Sequence, residues 1–190
     1  MSAVLATPQR HAVSTTEYLR MGEVGVFAAD ARLELIEGEI VEMPPIGSRH
    51  AGGVNILNGL FVRLVGTRAI VAVQNPLILG DRSVPQPDLV LLKPRADSYA
   101  SAHPTPADVL LVVEIADTTL AFDLGTKIPL YARHGVPEAW VVDLGERVIR
   151  AFRDPSTNGY RTSFTVSVGG NVSPSALPDV SIAVALLFPE

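Results

Sequence analysis

Apolar and polar positions along the chain alternate with two different periods, and the changes of period divide it into elements. Over residues 33–43, LELIEGEIVEM, Leu33, Leu35 and Glu37 alternate with Glu34 and Ile36 ahead of Gly38, and Ile40, Val41 and Met43 follow it. A two-residue period on both sides of a glycine predicts two short strands joined as a hairpin. Pro44 and Pro45 end it. From Ser48 the apolar residues fall at helical spacing, at Val54, Leu57, Leu60, Phe61 and Leu64, up to Gly66, which predicts a helix with one core-facing stripe. Residues 70–73 and 77–79 read as two further strands, with Gly80 and Asp81 turning the chain. Residues 88–92 and 109–115 are unbroken apolar runs, the pattern of strands covered on both faces. The polar, proline-bearing stretch between them, residues 97–107, is expected to be a surface loop.

The flanks are less periodic. Residues 1–13 carry no pattern and are expected to be a loose lead-in, with order starting at Ser14, where Ser14 and Glu17 have capping-box spacing ahead of a short helix through Tyr18, Leu19 and Met21 that Gly22 and Gly25 end. After Glu114, Thr118 or Thr119 can cap a helix that carries Leu124, Ile128 and Tyr131 on one side and stops at Gly135. Pro129 lies inside it, so that helix either starts late enough to hold the proline in its first turn or kinks there. Residues 139–142 form one more strand, and 148–152 pair with 160–166 across Asn158 and Gly159. The tail, VSIAVALLF, packs as a last short strand or turn. Helices and strands alternating in the middle, with hairpins at both ends, predict an α/β fold, one domain over residues 14–190.

Composition narrows the function. At 47% apolar and 18% charged the chain can bury a full core, and it lacks both an apolar run long enough to span a bilayer and a leading secretion signal, which makes a cytoplasmic protein the expectation. The absence of cysteine excludes disulfides, thiolate nucleophiles and Cys-type zinc sites. A net charge of −5 argues against coating nucleic acid by charge alone, though not against meeting phosphates through a metal ion. No phosphate-cradling glycine loop or serine-hydrolase elbow is present, so no nucleotide cofactor is expected.

Against this background two carboxylates stand out. Asp88 opens one apolar strand and Glu114 lies near the end of another, where an unpaired charge costs several kcal/mol. Two carboxylates on adjacent strand ends suit Mg²⁺, which takes one or two carboxylates together with water and phosphate oxygens. A lysine beside such a site can orient or help deprotonate the attacking water and stabilise charge on phosphorus. Lys127 has the chemistry for that part.

The residues also carry a resemblance. PD at Pro87–Asp88, the strand ending in Glu114 and a lysine beyond it resemble the PD-(D/E)xK nucleases, and the fuller set ELIEGEIVEMPP, His50, QPDLVLL, LLVVEIADTT and DLGTKIPLYARHGVPEAWVVD resembles the Uma-type family of bacterial restriction endonucleases over roughly residues 18–152. The resemblance implies a restriction-endonuclease-like mixed β-sheet flanked by helices, Mg²⁺-dependent (or Mn²⁺-dependent) cleavage of DNA, and a homodimer. By position it makes Asp88 and Glu114 metal ligands, with the backbone carbonyl of Ile115 a further one. It departs from the motif at Ala116, where the strand lysine belongs, and the following helix offers Lys127 in its place.

Several residues keep two readings. Lys127 is either the replacement lysine or half of a surface pair with Asp123 four residues earlier. Glu34 is a third site carboxylate or a solvent-facing strand residue, and His50 a phosphate or metal contact or a capping and packing residue. Gln86 lines the cleft or bonds its own loop; Glu37 and Glu39 read as exposed, Tyr131 and Trp140 as core, His134 as a cation favoured at a helix end, and Asp117 as part of a helix cap. For the whole chain the rival to a nuclease is a nuclease-fold protein without turnover, a dimeric nucleic-acid-binding or scaffold protein.

Overall fold

The computed structural model describes residues 9–188. Its centre is a six-stranded sheet in the order β3-β4-β5-β6-β7-β8, formed by β3 (Ile70–Val73), β4 (Leu89–Leu92), β5 (Val109–Ala116), β6 (Glu138–Asp143), β7 (Val148–Ser156) and β8 (Gly159–Ser167). Every neighbouring pair is antiparallel except β5 and β6, which run parallel. A parallel pair needs a crossover, usually helical, and the segment that leaves β5 provides it: α3 (Leu120–Phe122), a π turn over Asp123–Lys127, and α4 (Ile128–Arg133).

Side-chain alternation along β5 explains the layering. Leu111, Val113 and Ile115 join the apolar cluster under α2 (Ser48–Val65), while Val112 and Ala116 join the one under the crossover, with Ile128, Leu130 and Tyr131. The two-residue period therefore sends Glu114 toward the crossover as well. Both faces of the sheet are covered, as the unbroken apolar runs of β4 and β5 predict.

The hairpin of β1 (Leu33–Ile36) and β2 (Glu39–Glu42) sits beside this core. Glu37 and Gly38, the two residues of its turn, both have positive φ, 50° and 87°, which is the requirement of a type I′ turn. A Cβ on Gly38 would lie 2.8 Å from Ala12 Cβ. The Val13 amide donates to the Gly38 carbonyl at 2.9 Å, so the end of the expected loose lead-in is bound to the hairpin, while residues 1–8 lie outside the described residues. The Ser14–Glu17 capping box is formed and starts α1 (Thr15–Glu23).

Three expectations change. Residues 77–79 are not a sheet strand: Leu77 and Leu79 donate to the carbonyls of Pro85 and Ser83 at 2.9 Å each, and Pro76, Pro85 and Pro87 have no amide with which to extend a ladder. The helix after Glu114 is not one α-helix capped by a threonine hydroxyl, since Thr119 at its start caps nothing and Asp117 pairs with Arg49 at 3.0 Å. The π turn absorbs Pro129: the Ile128 amide reaches back five residues to the Asp123 carbonyl, and Pro129 falls in the first turn of α4. At the last hairpin Ser156 pairs with Gly159, so the loop residues are Thr157 and Asn158. The tail forms β9 (Asn171–Val172) and β10 (Ile182–Ala183), paired antiparallel, and a 3₁₀ turn over Val184–Leu187.

Candidate active site

Asp88 immediately precedes β4, where it extends the ladder with its side chain. Its Oδ2 accepts the Ile115 amide at 2.8 Å and lies 2.9 Å from His50 Nε2, and Oδ1 accepts from Gln74 at 3.2 Å. Burial alone would raise the Asp88 pKa, but the His50 contact and these donors outweigh it and hold the carboxyl below its ordinary range. His50, in the first turn of α2, leaves its Nδ1 buried without a partner among the described residues.

Glu114 and Lys127 meet on the crossover side of β5. The Lys127 ammonium lies 3.1 Å from Glu114 Oε1 and donates to Glu34 Oε1 at 3.0 Å. At 2% exposure Lys127 is not half of a surface pair, and Asp123 is buried as deeply. Glu34 is 3% exposed, so the solvent-facing reading fails for it too, and its Oε2 is buried with no donor among the described residues. The alternation of β1 turns Glu34 and Ile36 to one inward face.

The charges settle accordingly. Burial raises the Glu114 carboxyl well above its usual value, with Lys127 pulling the other way. Burial works against the Lys127 charge, yet Glu114, Glu34 and Asp123 hold its pKa above that of a free lysine, so it stays an ammonium at neutral pH. Asp123, which accepts from the Thr119 hydroxyl at 2.7 Å, is pushed up to about 6 by burial.

Glu34, His50, Gln86, Asp88, Glu114, Asp123 and Lys127 thus line one cleft of about 130 Å³, whose rim carries Arg32, Gly47 and Asp117. Gln86 also donates to the Leu33 carbonyl at 3.2 Å, so both of its readings hold. Glu34, Glu114 and Asp123 share the one Lys127 ammonium while Asp88 pairs with His50, and Glu34 Oε2 has no donor among the described residues. A hard divalent cation fits this oxygen-rich donor set. Among the described residues no group of three His, Asp or Glu side chains encloses a metal by itself.

Two participants escape a reading of the sequence. Tyr131 is core, as its apolar setting predicts, but its hydroxyl donates to Glu114 Oε1 at 2.5 Å. The four-residue spacing Asp123, Lys127, Tyr131 is the signal that groups these three on one side of the crossover. Gln74 reaches Asp88 from a residue with φ 52°, and nothing in its neighbourhood along the chain announces that. His134 differs from expectation, since burial and then Arg133 lower its pKa and favour the neutral ring. Glu37 is exposed and pairs with Arg133, Glu39 is exposed, and Trp140 is buried with its indole donating to Glu138.

A carboxylate-rich cleft thus lies where Asp88 precedes β4 and Glu114 nears the end of β5, against the crossover. A solved structure described as "a putative nuclease belonging to DUF820 from Anabaena variabilis ATCC 29413" has the same fold, with a TM-score of 0.73 over 93% of this chain and 97% of that one, at 18% identity. The model of the Uma2 family, described as "Putative restriction endonuclease", matches residues 15–185, and the chain belongs to that family. No curated protein sequence matches it. No helix among the described residues is long and apolar enough to cross a membrane.

Proposed function

We propose that the protein is a Mg²⁺-dependent endonuclease that hydrolyses phosphodiester bonds of DNA, acting as a homodimer in the cytoplasm. The observation that carries this reading is the position of Lys127, whose ammonium reaches the Glu114 carboxylate from the crossover on the same face that a lysine at Ala116 would occupy. Asp88, Glu114 and the Ile115 carbonyl would hold the ion, which supplies Lewis-acid polarisation of the phosphoryl group and a more acidic bound water. Mn²⁺ suits the same oxygen donors.

The chain's own residues have distinct parts. Lys127, held as an ammonium by its carboxylate neighbours, donates to orient the attacking water and offsets charge on the phosphoryl oxygens. Glu34 from the hairpin and Glu114 from β5 both hold that ammonium. His50 and Gln74 fix the orientation of Asp88, and Arg32, whose guanidinium also donates to the Pro44 carbonyl, lines the cleft beside the expected path of the flanking backbone phosphate.

Incubating the protein with supercoiled plasmid and Mg²⁺ or Mn²⁺ tests this. Nicked and linear products are expected, and the Asp88→Ala and Glu114→Ala variants should lose them; cleavage that survives both substitutions contradicts the proposal.

A second reading, a fold retained without turnover as a dimeric nucleic-acid-binding or scaffold protein, draws on two observations. Asp88 already has three protein donors, and no three side chains among the described residues form a closed metal cage. Titration with a divalent ion separates the two, because the nuclease reading requires saturable binding that Asp88→Ala abolishes.

A further inference from the structure

Nothing in the mechanism above uses the hydroxyl of Tyr131. Packing between α4 and the sheet is served by the ring alone, and a fully buried hydroxyl is costly unless it is bonded. Tyr131 is 0% exposed, and among the described residues its only side-chain partner is Glu114 Oε1, to which the hydroxyl donates at 2.5 Å. A phenol holds its proton at neutral pH, so the Tyr131 hydroxyl donates and the Glu114 oxygen accepts.

Lys127 meets the same oxygen at 3.1 Å. One oxygen of Glu114 therefore carries both crossover contacts, while Oε2 has no donor among the described residues. The carboxylate torsion of a glutamate is broad and roughly two-fold when nothing holds it. Two donors from the crossover, Lys127 at the end of the π turn and Tyr131 in α4, restrict that freedom. The spacing suits the task, because Lys127 closes the π turn and Tyr131 follows four residues later in α4.

We infer that Tyr131 is a positioning residue for the nuclease reaction, its hydroxyl orienting Glu114 so that Oε1 is taken up by Tyr131 and Lys127 and Oε2 faces the cleft as the ligand oxygen. This rests on the nuclease reading above. Tyr131 touches neither the DNA nor the ion and acts through Glu114.

Tyr131→Phe keeps the ring and removes the hydroxyl. Its kcat on plasmid DNA should fall about 10–100-fold, the usual loss when a residue behind a metal ligand is removed. KM for DNA should not change, and the Mn²⁺ concentration giving half-maximal rate should rise by about the same factor. A wild-type protein that cleaves DNA alongside a Tyr131→Phe variant of equal kcat and equal Mn²⁺ requirement overturns this inference alone. A wild-type protein that neither cleaves DNA nor binds Mn²⁺ overturns the nuclease reading and this inference with it. Should Tyr131→Phe not fold, the wild-type chain decides: with 3-fluorotyrosine incorporated and the other resonances assigned through Tyr18→Phe, Tyr99→Phe and Tyr160→Phe, the Tyr131 ¹⁹F signal should move saturably as Mg²⁺ is added. A stationary Tyr131 signal in the presence of saturating Mg²⁺ overturns the inference.

Discussion

The Lys127 ammonium lies 3.1 Å from Glu114 Oε1, although one residue is on a strand and the other closes a π turn in the crossover that follows it. Glu114 and Ala116 share a strand face because side chains alternate, and the crossover packs on that face. A lysine carried by the crossover can therefore reach the place that a lysine at Ala116 would fill. Lys127→Met should cost about 3–5 kcal/mol of stability, because Glu34 and Glu114 lose their buried counter-charge. Urea unfolding without divalent ions measures it, and a loss under about 1 kcal/mol would contradict the pairing.

Glu34, carried by the hairpin, holds the same ammonium and has a second oxygen without a donor among the described residues. Glu34→Gln keeps an oxygen for Lys127 and removes one negative charge. Plasmid cleavage should slow about 10-fold with little change in the thermal midpoint. Unchanged cleavage would leave Glu34 with a structural part only.

Asp123 gives a pH signature with a definite sign. Its carboxyl rises from 3.8 to about 6 on folding, so the folded chain holds this proton where the unfolded chain has released it. Stability from this group is present below about pH 4 and is lost as the pH rises to about 6, at most about 3 kcal/mol. Asp123→Asn should flatten that part of the profile and make the protein more stable at pH 7, as urea midpoints between pH 4 and 7 will register.

Gly38 tests the support of Glu34. It has φ 87°, and a Cβ there would come within 2.8 Å of Ala12 Cβ. Gly38→Ala should cost about 1–2 kcal/mol through the left-handed backbone alone, with the clash adding to it. A lowered thermal midpoint is the readout.

The parts of this fold that follow from period were legible along the chain: the hairpin at Gly38, the long helix ending at Gly66, and the buried runs of β4 and β5. Asp88 and Glu114 were legible as well, because a charge on a buried strand is conspicuous by itself. The residues that meet them were harder to read. Lys127 and Asp123 at four-residue spacing look the same whether a helix face meets water or the core, and only the packing of the crossover against β5 decides. Gln74 depends on a left-handed residue that neither period nor composition marks. Residues 77–79 carry a strand-like pattern, but the prolines across from them leave too few amides for a ladder.

The central claim is that Lys127, supplied by the crossover, completes a metal site built on Asp88 and Glu114. Crystals of the protein soaked with Mn²⁺ test it most directly through the anomalous signal of the ion. The account predicts Mn²⁺ bonded to the Asp88 and Glu114 carboxylates, with a bound water within hydrogen-bond reach of Lys127 Nζ. An ion bound elsewhere, or none at saturating Mn²⁺, would contradict it.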